Sequence, residues 1–475
     1  MISFRDPAGA LSPVGDRIFR IVTTGAPDLL AFLSSQAAKK YFASGQVART
    51  TVLTKEQAAN VLADPEIGHA YGHLNGQLLV EHERIPFPSY PYEWPAEMLH
   101  AAGVLTLNLA EDLRREGLGL KDATPLNILF RGTEPVFVDL LSVERRDPHD
   151  PTWLPYAQFA RTFLLPLLAY KYFGLRLDQT LGARRDGIEP EEMYRYLSPV
   201  RRFAPPFLTL VSIPTWLGRR HSEDDNSIYR KKSLDDPEKA GFILDSLLSR
   251  LRRTLLRLTL PEGGESAWSG YMNSGGNNYA AAQFAAKEAF VSEALRELAP
   301  RSVLDVGCNT GHFSFMAARN GASVVAIDSD PVVAGQVWRL ARAEHLDVLP
   351  LVVNLTRPSP AVGWRNEECP SFLDRARGKF DAVFMLAVLH HMLVSERVPL
   401  ASILELAAEL TRDALIIEFI EPQDSMFRRL TRGRDELHKD LTVPSFESAC
   451  LQRFHILRSE RIPGGARTLY LLRKK

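Results

Sequence analysis

Beyond residue 280 the apolar positions fall into two kinds of run. Short blocks rich in β-branched residues (Ser302–Val306, Ser323–Ile327, Val348–Val353, Asp381–Leu386 and Ala414–Phe419) read as strands. Between them, helical spacing marks Asn278–Leu298, a segment opening at Gly311, Pro331–Ala343 and Val398–Leu410. Alternating strands and helices predict a doubly wound α/β sheet. The end of the chain breaks the alternation. A helix near Ser445–Arg453 is followed by two apolar runs, His455–Arg458 and Thr468–Leu472, around Pro463-Gly464-Gly465. This pattern predicts a terminal hairpin that closes the sheet with an antiparallel strand.

Upstream the pattern is less regular. Arg219–Pro237 is polar and charged and reads as a loop. In Lys239–Leu260 the leucines 244, 247, 248, 251, 255 and 258 recur at helical spacing, while Arg250, Arg252, Arg253 and Arg257 lie mostly off that stripe. The expectation is a helix packed between domains. Pro261–Ser266 ends it and marks the main boundary, giving domains over 1–260 and 266–475. A length of 475 residues agrees, being too long for one ordinary core.

Composition narrows the classes. Basic and acidic residues balance at 57 each, so nothing in the overall charge calls for nucleic acid. The three cysteines, Cys308, Cys369 and Cys450, are far apart, without disulfide or metal-ligand spacing. No metal is expected. The amino terminus lacks the basic and apolar regions of a signal peptide. The greasiest stretch, Phe159–Leu175, carries Arg161, Pro166 and Lys171 and is not a membrane span. A cytoplasmic protein is expected.

The most informative segment is Val303–Ser314, VLDVGCNTGHFS. An apolar strand feeds Asp305, then a small-residue turn, then a helix. Gly307 and Gly311 let a ligand approach the backbone and permit unusual dihedrals. Asn309 stands where a third glycine is usual, and asparagine tolerates left-handed dihedrals. Asp328 ends the second strand, 21 residues after Gly307, where it can take both ribose hydroxyls. The turn is not a dinucleotide turn. Counted from Gly307, the later glycines of G-x-G-x-x-G would fall on Asn309 and His312.

These residues closely resemble motif I of the class I S-adenosylmethionine-dependent methyltransferases. The resemblance implies a Rossmann-like seven-stranded domain and S-adenosyl-L-methionine as cofactor. It implies that Asp305 acts on the methionine ammonium or its water shell, and that Gly307 and Gly311 line the adenosyl group. Cys308, Asn309, Ser329 and Leu386 join the cofactor-binding set, with Asn354 and Leu355 meeting the adenine. Trp268 and Tyr279 could cover the cofactor or simply pack. Leu389-His390-His391 resembles the end of motif IV in small-molecule methyltransferases, making His390 and His391 the candidates for a general base. Read as a strand end, the two side chains point to opposite faces, so at most one faces an acceptor. Glu418 and Glu421 fall near the carboxyl edge of the fifth strand.

In the first half, Asp122 and Asn127 are spaced D-x₄-N within KDATPLNILF, and Asp139 ends the run PVFVDLL. This resembles the catalytic loop and metal-binding aspartate of protein-kinase-like folds, with a helix over about Ala96–Glu116 before it and VEHERIPF as an interlobe segment. An α+β kinase-like domain is implied. Leu120 replaces the usual histidine, Leu141 the usual glycine, and no glycine-rich phosphate loop or V-A-x-K lysine is found. A degenerate domain for binding or scaffolding is the expectation, with a bifunctional kinase–methyltransferase as the alternative. In layout the chain is similar to a bacterial family of predicted methyltransferases that includes host-specific nodulation proteins of rhizobia. A small-molecule, sugar or lipid-linked saccharide acceptor is expected; a protein or RNA acceptor remains the rival.

Overall fold

Two strand pairs of the first half, Gly9–Val14 with Arg17–Val22 and Ile128–Arg131 with Glu134–Phe137, are hairpins that need only short turns. In the computed structural model, which describes residues 7–64, 67, 78–182, 184–218, 233–258 and 281–475, the chain divides into two units. One comprises 1–262 with 363–369, the other 263–362 with 370–475.

The first unit opens on an antiparallel sheet of β1 (Gly9–Val14), β2 (Arg17–Val22), β3 (Thr50–Val52) and β4 (Leu78–His82), in the order β1-β2-β4-β3. Helices Ala26–Ser34 and Gln36–Ala43 lie between β2 and β3 in sequence. The long helix Ala96–Arg115 buries Met98, Leu99, Ala102, Leu105, Leu109 and Leu113. It leads into β5 (Leu118–Leu120), the hairpin β6 (Ile128–Arg131) and β7 (Glu134–Phe137), and β8 (Val143–Arg145), which pairs back on β5. The greasy Phe159–Leu175 stretch is helical from Tyr156 to Phe173 and largely buried. No helix among the described residues is long and apolar enough to cross a membrane.

The leucine-striped helix runs Pro237–Leu256, capped by Asp236, whose side chain accepts from two backbone amides. Leu244, Leu248, Leu251 and Leu255 are buried in the first unit, where the helix packs along Ala96–Arg115. Arg252, off the stripe, forks onto Glu111 at 2.8 Å and Asn108 at 2.6 Å. Residues 219–232 of the expected loop, and the 261–266 break, lie outside the described residues.

The second unit holds the seven-stranded sheet. Its strands are β9 (Ser302–Val306), β10 (Ser323–Asp328), β11 (Val348–Val352), β12 (Phe380–Met385), β13 (Thr411–Ile420), β14 (Phe454–Arg461) and β15 (Arg467–Lys474). Their order is β11-β10-β9-β12-β13-β15-β14. The first five are parallel, and β15 runs antiparallel between β13 and β14. β9, β11 and β12 are mostly apolar and almost wholly buried, as strands covered by helices on both faces must be. The order reverses between β9 and β12, so the segments leaving their carboxyl ends diverge and open a crevice.

Candidate functional site

That crevice is a cavity of about 350 Å³ within the second unit. Its floor is the turn after β9. Gly307 and Cys308 both donate backbone N–H groups to the carbonyl of Ile327 on β10, at 2.8 and 3.1 Å, fastening the turn to the neighbouring strand. Gly307 has φ +69°, and a Cβ there would meet Val388 at 3.1–3.2 Å. Asn309 takes φ +47°, the left-handed conformation expected of it, and its side-chain oxygen accepts from Thr310 N at 2.7 Å.

Two acids frame the turn. Asp328 accepts from the backbone N–H of Asn309 and of Asp330, each at 3.0 Å. Burial nevertheless raises its pKa, because the charged form loses water. Asp305 is buried and accepts from Ser314 Oγ at 2.6 Å; burial pushes its pKa up to about 6. On the β11 side, Asn354 Oδ1 accepts from Thr356 N at 2.9 Å and Thr356 Oγ1 at 2.6 Å. This commits its oxygen and leaves its amide N–H groups to a ligand.

Asp305, Gly307, Cys308, Asn309, Asp328, Ser329, Asn354, Leu355, Leu386 and His391 all line the cavity. Gly311 and His390 do not. Gly311 (φ +84°) begins the helix His312–Arg319, and a Cβ there would come within 2.9 Å of Phe315 and 3.0 Å of Val337. Its small size serves packing behind the turn. Cys308 is buried, and burial raises its thiol pKa well above the usual range, which rules out a thiolate nucleophile at neutral pH. Trp268 and Tyr279 lie outside the described residues.

The two histidines do not sit at a strand end. After β12 the chain passes Ala387 at φ +56° and enters a helical turn, with a π-helical segment over His391–Ser395. Their rings therefore lie side by side, with centroids 4.1 Å apart, and do not take opposite faces. His391 reaches the cavity; His390 is 2% exposed, and among the described residues neither of its ring nitrogens has a hydrogen-bond partner. Burial lowers the pKa of both, more strongly for His390, which also feels His391, Arg467 and Lys287. Both imidazoles are neutral at pH 7.

Sequence reading missed Lys287. On the helix Ala281–Leu298 it shares a face with Phe290, Val291 and Ala294, at spacings of three, four and seven, so a cation on an apolar stripe was the available signal. Lys287 lines the cavity and pairs with buried Glu418 at 2.6 Å. Arg467 approaches Glu418 at 3.4 Å and Asp424 at 2.8 Å. Phe284 and Phe313 complete that wall. Among the described residues, no histidine, cysteine and carboxylate group is placed to hold a metal ion.

In the first unit, Asn127 and Asp139 come together through Ser142, whose hydroxyl accepts from Asn127 Nδ2 at 3.2 Å and donates to Asp139 at 2.5 Å. Asp122 Oδ1 accepts from Gln158 Nε2 at 3.4 Å. Asp139 is also held by Arg20 of β2 at 2.6 Å.

Residues 279–458 match the family model of a methyltransferase domain. Over 473 residues the chain is 30% identical to the nodulation protein NoeA of Rhizobium meliloti (strain 1021), covering 98% of this chain and 94% of that protein. A 145-residue stretch is 33% identical to the tRNA U34 carboxymethyltransferase of Alcanivorax borkumensis, covering 28% of this chain and 40% of that protein. Among solved structures, the N-methyltransferase NodS of Bradyrhizobium japonicum WM9 superposes with a TM-score of 0.30 and 13% identity, over 40% of this chain and 96% of its own.

Proposed function

Since the chain belongs to the family of the nodulation protein NoeA and is a methyltransferase that uses S-adenosylmethionine, we propose that it methylates a small-molecule, sugar or lipid-linked saccharide acceptor at the β9–β12 crevice. The observation carrying this reading is that acids, a glycine turn, an uncommitted amide and a neutral histidine line one cavity. Its volume suits a small-molecule ligand, and the missing Cβ at Gly307 leaves room for close backbone approach.

The bound cofactor supplies a methyl group already activated on a sulfonium sulfur. Asp328 would accept from the ribose hydroxyls, Asn354 would donate its amide N–H groups to the adenine, and Asp305 would receive the ammonium or its water shell. His391 would take the proton from an acceptor hydroxyl or amine as the acceptor–methyl bond replaces the sulfur–methyl bond and the thioether leaves. Alignment at this site contributes more than proton removal. Orientation is worth on the order of 7–11 kcal/mol in favourable cases, against roughly 10²- to 10⁴-fold for a base. The test is transfer of labelled methyl from cofactor to fractionated extract. Label in a saccharide or lipid-linked fraction supports the reading; label confined to protein or RNA overturns it.

His391→Ala should lower kcat by about 10²-fold while leaving cofactor affinity nearly intact. The neutral imidazole is the active form, and burial lowers its pKa. Activity should therefore rise through an apparent pKa below 6.5 and stay flat above neutrality. His390→Ala should instead lower stability, since His390 fills a buried space. Equal loss of cofactor binding in both variants would make both histidines structural.

A second reading concerns residues 1–260, proposed as a kinase-like scaffolding domain without kinase activity. Supporting it are the succession of long helix, β5, loop, β6–β7 hairpin and β8, and the meeting of Asn127 with Asp139. Arg20 is the decisive residue. It is 6% exposed and pairs with Asp139, and although burial pushes that carboxyl up, Arg20 and Ser142 hold its pKa below the usual range. The guanidinium supplies the charge a metal would bring. Phosphoryl transfer depends on positioned phosphates and metal. With magnesium and ATP, phosphotransfer should stay near background; robust turnover lost in Asp139→Asn would establish the bifunctional alternative.

A further inference from the structure

A second concavity, of about 280 Å³, lies on the other side of the His391–Ser395 turn. His391, Met392 and Ser395 line the first cavity, whereas Leu393 and Val394 of the same turn line the second. The two therefore share a wall one turn thick. The opposite side comes from the segment after β13, at the carboxyl edge of the sheet. Met426 and Phe427 bury the helix Ser425–Thr431, and the Phe427 ring meets His438 at 5.4 Å. Left-handed Arg432 (φ +50°) and Gly433 (φ +82°) then turn the chain so that Arg434 and Leu437 join the groove.

The groove combines two chemistries. Leu393, Val394, Val398 and Leu437 give it an apolar lining, and Leu437 is 74% exposed. Arg397 and Arg434 add two exposed guanidinium groups. From Ser425 to Arg434 the chain has four arginines and no acidic residue. Among the described residues, none of these four arginines nor Arg397 has an ion pair. Several exposed arginines elsewhere in the unit are paired, Arg453 with Glu405, Arg461 with Glu421 and Arg473 with Asp413, while Arg296 and Arg301 stand singly rather than in a cluster. Guanidinium groups without an ion pair among the described residues, beside an exposed leucine, fit a ligand with an anionic head and an apolar body. A free oxyanion would use the arginines and leave the leucines idle.

We propose that this groove binds the phosphate and adjoining apolar chain of a lipid-linked acceptor, holding its saccharide over the shared wall toward His391. This rests on the methyltransferase reading and specifies its acceptor. Calorimetry on the full chain tests it, with decyl phosphate below its micelle concentration, decyl glucoside and inorganic phosphate as probes. Decyl phosphate should bind saturably, at least about tenfold tighter than either control. Arg397→Glu with Arg434→Glu should weaken it by at least about tenfold, and Leu437→Asp should weaken it too. S-adenosylhomocysteine, titrated in parallel, should bind equally to parent and variants. Inorganic phosphate binding as tightly as decyl phosphate would overturn the proposal, as would binding unchanged in the variants. Binding only to anionic phospholipid vesicles would mark a membrane-surface patch and overturn it as well. Failure of the parent to bind S-adenosylhomocysteine would defeat the methyltransferase reading instead, whatever decyl phosphate does.

Discussion

Gly307→Val should weaken S-adenosylhomocysteine binding by at least about a hundredfold in calorimetry, while far-UV circular dichroism stays that of the parent. Two effects act together. The residue sits at φ +69°, where a side chain on Cβ costs about 1–2 kcal/mol and a β-branched one more. Its Cβ would also press on Val388 at 3.1–3.2 Å, and its methyl groups would take up cavity space. The strained turn relaxes out of its binding shape and the methyl groups occupy ligand space, and a resulting loss near 3 kcal/mol is about a hundredfold in affinity. Asp328→Ala should act in the same direction by another route. It removes an acceptor for the ligand and frees the Asn309 amide that shapes the turn. Undiminished affinity in Gly307→Val, or tight NAD binding without S-adenosylhomocysteine binding, would remove this cavity from the account.

Asp305→Asn should separate stability from binding. Burial pushes the Asp305 pKa up to about 6, so at pH 7.5 the folded protein carries an ionised carboxylate where a neutral group is favoured. The sign follows from linkage. Stability is fullest below the ordinary carboxylate pKa near ~4 and falls as pH rises through about 6, by roughly 3 kcal/mol in all. The uncharged asparagine escapes this loss. At pH 7.5 the ligand-free variant should therefore melt higher than the parent, by on the order of 5 °C, with the gain shrinking toward pH 4. Cofactor affinity should fall by at least about tenfold, through loss of the charged contact to the ammonium. A variant less stable than the parent at pH 7.5 would mean that Ser314 and Lys287 already compensate the charge.

The strand–helix alternation, the terminal hairpin, the turn at Gly307–Asn309 and the acids Asp305 and Asp328 were all legible in the sequence. Each is a local matter, fixed by side-chain periodicity, by the dihedrals a residue tolerates, or by its position at a strand end. Tertiary structure decided what depends on the partner. The sequence marked a leucine-striped helix, but an apolar stripe does not specify its neighbour, and within the first unit Pro237–Leu256 packs on Ala96–Arg115. Strand alternation put the His390 and His391 side chains on opposite faces, and the helical turn after Ala387 put their rings side by side. Lys287 meets Glu418 across 131 residues, and Arg20 meets Asp139 across 119. Neither ion pair has a local signature, because the energy that makes it exists only once separate elements have packed and excluded water.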